Sequence, residues 1–289
     1  MHVLDQFQSE KFKIYHGDCV EVSKMIPDAS IDFSIFSPPF SSLYTYSNSD
    51  RDMGNCKNDD EFFTHFGFLV AELFRILKPG RNISVHCMNL PTSKQNHGYI
   101  GIRDFRGDII RLFQKYGFIY HSEVTVWKDP VVAMQRTKAL GLLWKQIKKD
   151  SAMCRQGIPD YVVTFRKPGD NPRPIAHTPD EFPVEEWQQL ASPCWMDIKQ
   201  SNTLNRKGAK DKDDERHIAP LQLDLIERCL RLWSLPEDVV FSPFAGIGSE
   251  GYVSVQKGRR FIGVELKESY FRLAKKYLLE AESVQQTIL

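Results

Sequence analysis

Apolar residues recur along this chain at two different periods. Phe62, Phe66, Leu69, Val70, Leu73 and Leu77 fall three and four residues apart, which predicts an amphipathic helix over 61–77, closed by Lys78-Pro79-Gly80. A second helix is predicted over 105–116, ended by Gly117, and 118–127 then alternates like a strand. The short apolar runs 13–15, 31–36 and 83–88 read as buried strands, with a short helix over 20–26 between the first two. Regular patterning returns near the C-terminus: helices over 220–233, 249–256 and 269–282 are separated by strands over 237–241 and 260–265. Helix and strand in alternation imply an α/β fold whose mostly parallel sheet carries helices on both faces.

Between residues 128 and 200 the periodicity gives way to a Pro-rich, irregular stretch. From 128 to 173 it holds ten basic residues against four acidic ones, an excess suited to phosphate contacts. A mixed-charge linker follows over 205–216. The chain thus divides into 1–127, 128–200 and 201–289.

Composition adds a few exclusions. The 38 Lys+Arg and 37 Asp+Glu nearly cancel, so a nucleic-acid partner has to be met by a local patch. Six scattered cysteines, none in a two-residue-spaced pair, argue against a metal site and against a disulfide framework. No apolar run approaches the ~20 residues that cross a bilayer, and a cytoplasmic protein is expected.

The chemistry is concentrated at two turns. Ser37-Pro38-Pro39-Phe40 directly follows the strand 31–36, at the strand end where open α/β sheets bind ligands. The double proline stiffens the turn and removes backbone donors. Carbonyls, a hydroxyl and a ring face are left, which make a pocket for a flat, amine-bearing ring. About 200 residues later, Ser242-Pro243-Phe244-Ala245-Gly246-Ile247-Gly248 follows another strand, and Glu265 ends the next.

These two turns, in this order, resemble the β class of DNA amino-methyltransferases, in which the catalytic motif precedes the S-adenosylmethionine motif. The resemblance implies a Rossmann-like methyltransferase fold with circularly permuted motif order: a catalytic half at 1–127, an inserted target-recognition region at 128–200 and a cofactor-binding half at 201–289. The strands around Phe36 and Phe241 then belong to one sheet, and the strand 13–15 continues the cofactor half begun near the C-terminus. It also implies that Ser37, Pro38, Pro39 and Phe40 act on an exocyclic amine of cytosine or adenine. That amine is a poor nucleophile because its lone pair is delocalised, so the Pro38 carbonyl and the Ser37 hydroxyl would accept its protons. Phe40 would stack on a base rotated out of the duplex.

S-adenosylmethionine is the implied cofactor. Its contacts would come from Gly246 and Gly248, from the flanking Ser242, Pro243 and Phe244, and from Ser37. Glu265 would bind the ribose hydroxyls, Asp18 the adenine amine, and His217 with Pro220 the methionine end. Ser242 stands where the family usually has Asp. Double-stranded DNA is the expected partner, contacted by Arg136, Lys138, Lys145, Lys148 and Lys149; the bland alternative is a surface helix over 139–149 whose lysines are merely solvated. The loop 47–55 reads either as a lid near cofactor and flipped base or as a solvated loop. A cognate restriction endonuclease and a homodimer are compatible with the class, in a prokaryotic or phage-encoded protein. Pro193-Cys194 resembles the nucleophile dipeptide of cytosine carbon-5 methyltransferases, but it lies in an irregular segment and precedes the cofactor motif, against that reading.

A Ser at the head of the catalytic turn leans towards cytosine N4 over adenine N6 among family members. The rivals are a non-catalytic DNA-binding protein that keeps the fold, and a methyltransferase acting on RNA or a small molecule.

Overall fold

A computed structural model describes residues 3–40, 52–137, 139–207 and 219–288. Nine of the described strands form one sheet. In chain order they are β1 (Val3–Gln8), β2 (Phe12–Gly17), β3 (Ile31–Phe36), β4 (Leu77–Met88), then, after a separate two-stranded ribbon of β5 (Leu90–Thr92) and β6 (Gly101–Arg103), β7 (Ile119–Val126), β8 (Asp160–Arg166), β9 (Cys194–Trp195), β10 (Val239–Ser242) and β11 (Arg260–Glu265). Across the sheet the order is β1-β2-β11-β10-β3-β4-β8-β7-β9.

The five strands from β2 to β4 are parallel, β8 runs antiparallel to both β4 and β7, and β1 is an antiparallel edge on β2. The permuted order is therefore visible directly. β10 and β11, from the end of the chain, sit between β2 and β3 from its beginning, with Val240 opposite Phe33 and Gly263 opposite Ile14.

Helices cover both faces. α1 (Cys19–Ser23), α2 (Asp59–Ile76) and α4 (Phe105–Lys115) pack on one; α7 (Leu223–Trp233), α8 (Ser249–Gln256) and α9 (Glu268–Ile288) pack on the other, while α3 (Lys94–His97), α5 (Pro130–Thr137) and α6 (Val184–Leu190) are short. Side chains alternate between the faces at a period of two, so Val240 and Val162 join the α7–α9 core while Phe241 and Val163 join the α2 core. α2 begins as its sequence dictates. The Asn58 side chain accepts from the Glu61 amide at 2.9 Å, three acidic residues occupy the first turn, and Phe62, Phe66, Leu69, Val70 and Leu73 form the buried stripe.

Three departures from the sequence reading have physical causes. The segment 128–200 is not wholly an insertion, because Asp160–Arg166 is a strand inside the main sheet and Cys194–Trp195 pairs with β7. Its apolar core Tyr161-Val162-Val163-Thr164-Phe165 is bounded by Pro159 and Pro168, and the surrounding basic and Pro-rich residues mask it. β4 starts at Leu77, directly after α2. Gly80, at φ +71°, lets the chain pass within van der Waals contact of Asn171, where a Cβ would stand 2.5 Å from the Asn171 nitrogen. β1 shows no periodic signal, since as an edge strand it is largely exposed. No described helix is long and apolar enough to cross a membrane.

Candidate active site at the carboxyl ends of the parallel strands

Four neighbouring parallel strands deliver the candidate residues to one place. β2 ends at Gly17 before Asp18, β11 at Glu265, β10 at Ser242 before Pro243 and Phe244, and β3 at Phe36 before Ser37. All of these termini open on a single cavity, lined by Asp18, the whole Ser37–Phe40 turn, Pro220, Pro243, Phe244, Gly246 and Glu265. This is the crevice that the switch in strand connectivity between β10 and β3 creates.

Asp18 caps α1: its Oδ1 accepts from the amides of Val20 at 3.0 Å and Glu21 at 2.9 Å. Glu265 is held on both oxygens, Oε2 accepting from the Gly246 amide and Oε1 from the Lys267 amide, each at 2.8 Å. Burial nevertheless pushes its carboxyl up to about 7. Gly246 has φ +54°, and a Cβ built on it meets nothing within 4 Å, so the backbone there faces open space. Gly248, at φ +91°, caps α8 and would place a Cβ 3.1 Å from Ala274 of α9; it is needed for helix packing.

In the Ser37–Phe40 turn Pro38 is buried, while Ser37, Pro39 and Phe40 are half-buried. The Phe40 ring meets Phe105 edge-on at 6.2 Å, and Phe36 below it packs on Phe244 at 5.8 Å. Ser37 Oγ lies 3.2 Å from His86 Nδ1.

Further residues join the site. Glu250, in the first turn of α8, is 4% exposed and lines the cavity; burial, with Glu265 nearby, pushes its carboxyl up to about 8. Asp52 and Met53, from the loop expected to act as a lid, are buried at the cavity wall, and Asp52 Oδ1 accepts from the Gly54 amide at 2.8 Å. Tyr270 and Lys267 complete that side. Ser249 lines the cavity with its buried hydroxyl unpartnered.

Comparison with known proteins settles the class. The family model for N6/N4 methyltransferases, described as DNA methylase, matches residues 31–276. The chain belongs to this DNA methylase family. It is 39% identical over 276 residues to the type II methyltransferase M1.MboII of Moraxella bovis, covering 93% of this chain and 97% of that one. It is 24% identical to the DNA adenine methyltransferase YhdJ of Escherichia coli K12, over 94% of this chain and 84% of that one. Among solved structures, TTHA0409 of Thermus thermophilus complexed with S-adenosyl-L-methionine superposes with a TM-score of 0.71 at 23% identity, covering 94% of each chain. PvuII DNA methyltransferase (cytosine-N4-specific) gives 0.67 at 17% identity, covering 97% of this chain and 93% of that one. The fold of this methylase is thus the Rossmann-like methyltransferase fold.

Not every expected residue reaches the cavity of the methylase. Ser242 ends β10 fully buried, its hydroxyl unpartnered, and does not line the cavity; nor does Gly248, which turns towards α9. Cys194 lies on β9, at the far edge of the sheet from β2. Lys138, His217 and residues 47–51 of the lid lie outside the described residues, as does the side chain of Arg136 in α5. Lys145, Lys148 and Lys149 are exposed and have no ion-pair partner among the described residues. Their segment is a run of short 3-10 turns (Leu140–Leu142, Trp144–Gln146, Ser151–Met153), so the expected alternative of a regular surface helix over 139–149 does not hold.

Proposed function

We propose that this chain is a site-specific DNA methyltransferase that transfers a methyl group from S-adenosylmethionine to the exocyclic amine of a flipped base, cytosine N4 ahead of adenine N6. One observation carries the reading: the Ser37–Phe40 turn and the Gly246–Glu265 cradle line the same cavity, so a base amine and a cofactor can meet there. The residues fit the cofactor. The open position at Gly246 admits a ligand against the backbone, the unpartnered Ser249 hydroxyl awaits a polar group, and two carboxyls suit ribose hydroxyls and a cation. Bound there, S-adenosylmethionine supplies an electrophilic methyl on a sulfonium.

The chain's own residues do the rest. Pro38 and Ser37 accept the amine protons and aim the nitrogen lone pair; Phe40 holds the ring. The walls of the cavity exclude water from the methyl group. Ser37 at the head of the turn favours cytosine N4. Expressing the protein in a methylation-free host and sequencing its DNA for modified bases tests this directly: N4-methylcytosine at a fixed sequence is expected, N6-methyladenine would reassign the base, and no modification would refute the activity.

Phe40→Ala should weaken base capture by about 1–3 kcal/mol, the value of one stacked base. Turnover and the fluorescence signal of a flipped 2-aminopurine should both drop while cofactor affinity holds. An unchanged rate would remove Phe40 from base recognition.

Duplex binding is assigned to the basic segment, supported by exposed Trp144 and Ile147 interleaved with Lys145, Lys148 and Lys149. Replacing the three lysines with Gln should weaken binding to all duplexes alike. It should also flatten the log-log salt dependence by up to roughly 0.9 for each phosphate no longer neutralised. Wild-type slope and affinity would move the DNA-facing surface elsewhere.

A further inference from the structure

The hydroxyl of Ser37 does not stand alone. Its Oγ lies 3.2 Å from Nδ1 of His86, near the carboxyl end of β4. On the other side of the ring, Nε2 is 3.2 Å from Asp160 Oδ2, at hydrogen-bonding distance though off the ideal line. Asp160 Oδ1 in turn meets the ammonium of Lys128. The three side chains come from adjacent strands: Ser37 just past β3, His86 on β4 and Asp160 at the start of β8. His86 is 7% and Asp160 3% exposed, and neither lines the cavity, whereas Ser37 does. The tautomer assigned from these neighbours puts the proton on Nε2, towards the Asp160 carboxylate, and leaves Nδ1 as acceptor for Ser37.

We propose that Ser37, His86 and Asp160 form a proton relay that carries away the proton released when the base amine is methylated. The inference rests on the DNA-methyltransferase reading above. In the step, the S–CH3 bond of the sulfonium breaks and its electron pair stays on sulfur, while the amine lone pair forms the N–CH3 bond. One amine proton passes to Ser37 Oγ as the hydroxyl proton of Ser37 passes to His86 Nδ1. The products are the neutral thioether, the methylated amine and an imidazolium, so charge and atoms balance. Asp160 stabilises that imidazolium. Burial acts against its ionisation, but His86 and Lys128 together hold its carboxyl below the ordinary range, so it stays an anion throughout. His86 and Asp160 act through Ser37 and touch no substrate; they are positioning residues.

The charged and titratable groups around the ring are Asp160 from β8, Lys128 from the turn after β7, and the Cys87 thiol on the opposite face of β4, which burial keeps protonated.

Single-turnover transfer of labelled methyl groups to unmodified DNA tests the relay. In wild type the rate should depend on pH, with a loss on the acid side. His86→Asn keeps a polar amide but takes no proton; its rate should drop about 10²-fold, the low end for general acid–base help, and lose the acid limb. Cofactor affinity by calorimetry should stay within about twofold. Ser37→Ala, which removes only a hydroxyl, should lose the same limb, and adding His86→Asn to it should cost nothing further. A Ser37→Ala or His86→Asn enzyme with wild-type rate and pH profile would overturn the relay, as would fully additive losses. Should His86→Asn not fold, the Ser37→Ala profile decides alone. Absence of any methylated amine with wild-type protein would instead sink the DNA-methyltransferase reading and the relay with it.

Discussion

Replacing Arg81 with Met should lower the free energy of unfolding by about 3–5 kcal/mol, the usual loss when one partner of a buried charge cluster is removed. Arg81 is 1% exposed, between Asp238 at 0% and Asp32 at 4%. Its guanidinium pairs with the Asp238 carboxylate, donates through Nε to the Asp32 carbonyl at 2.7 Å, and lies 3.8 Å from Asp32 Oδ1. Around it, Asp32 also pairs with Lys78 at 2.6 Å and accepts from the Val239 amide at 2.9 Å, and Asp238 accepts from the Leu235 amide at 2.8 Å. With the guanidinium gone, the ion pair left to Asp238 among the described residues is with the exposed Arg173 at 3.4 Å, helped from farther off by the charge of Arg259. The cluster ties the start of β3 and β4 to the start of β10, so it clamps the two sequence-distant halves at the sheet end opposite the cavity. Folded Arg81→Met protein should consequently bind cofactor as wild type does. Urea denaturation and calorimetry measure both; a loss below about 1 kcal/mol would show that the cluster contributes little to holding the halves together.

What could be read from the chain divides by the range of the interactions involved. The helical stripe of α2, the run before Ser37 and the glycines after β10 are local patterns, and all three appear where expected. The motif order implied that the strands around Phe36 and Phe241 share one sheet, and they do, as the neighbours β3 and β10 with Val240 opposite Phe33. His86 and Asp160 gave no such signal. They meet Ser37 only because β3, β4 and β8 are neighbours, and no spacing rule links residues that sheet order brings together. Glu250 was hidden for a different reason: an acidic residue in the first turn of a helix is ordinary, and only its burial against the cavity distinguishes it. β8 was missed because prolines at both ends and basic neighbours outweighed five residues of strand pattern.

Cofactor affinity should rise steeply between about pH 6 and about pH 8. Glu265 and Glu250 face one cavity with carboxyls pushed up to about 7 and about 8, so near neutrality the ligand-free protein keeps Glu250 largely and Glu265 partly protonated. S-adenosylmethionine carries a net positive charge, and its ribose hydroxyls need an ionised acceptor, so binding favours the deprotonated pair and releases protons. Affinity therefore gains up to roughly tenfold per pH unit for each proton released and levels off above the higher of the two values. Calorimetry in two buffers of different ionisation enthalpy counts those protons directly.

Glu250→Gln should remove one of them and flatten the pH dependence. The same change should stabilise the ligand-free protein in alkali. A carboxyl whose folded value lies above its unfolded value binds more protons folded than unfolded, so stability is lost as pH climbs from about 4.5 to about 8, and the whole penalty is present beyond that. At 1.36 kcal/mol per unit the penalty is on the order of a few kcal/mol, shared with Glu265 because the two titrate together. Gln carries no such penalty, and thermal melts at pH 8.5 should show the variant more stable than wild type without cofactor, with the gap closing when cofactor is added. Equal melting temperatures at pH 5 and pH 8.5 for both proteins, with no protons released on binding, would mean that Glu250 is ionised in the free protein and that the cavity is not tuned for a cation.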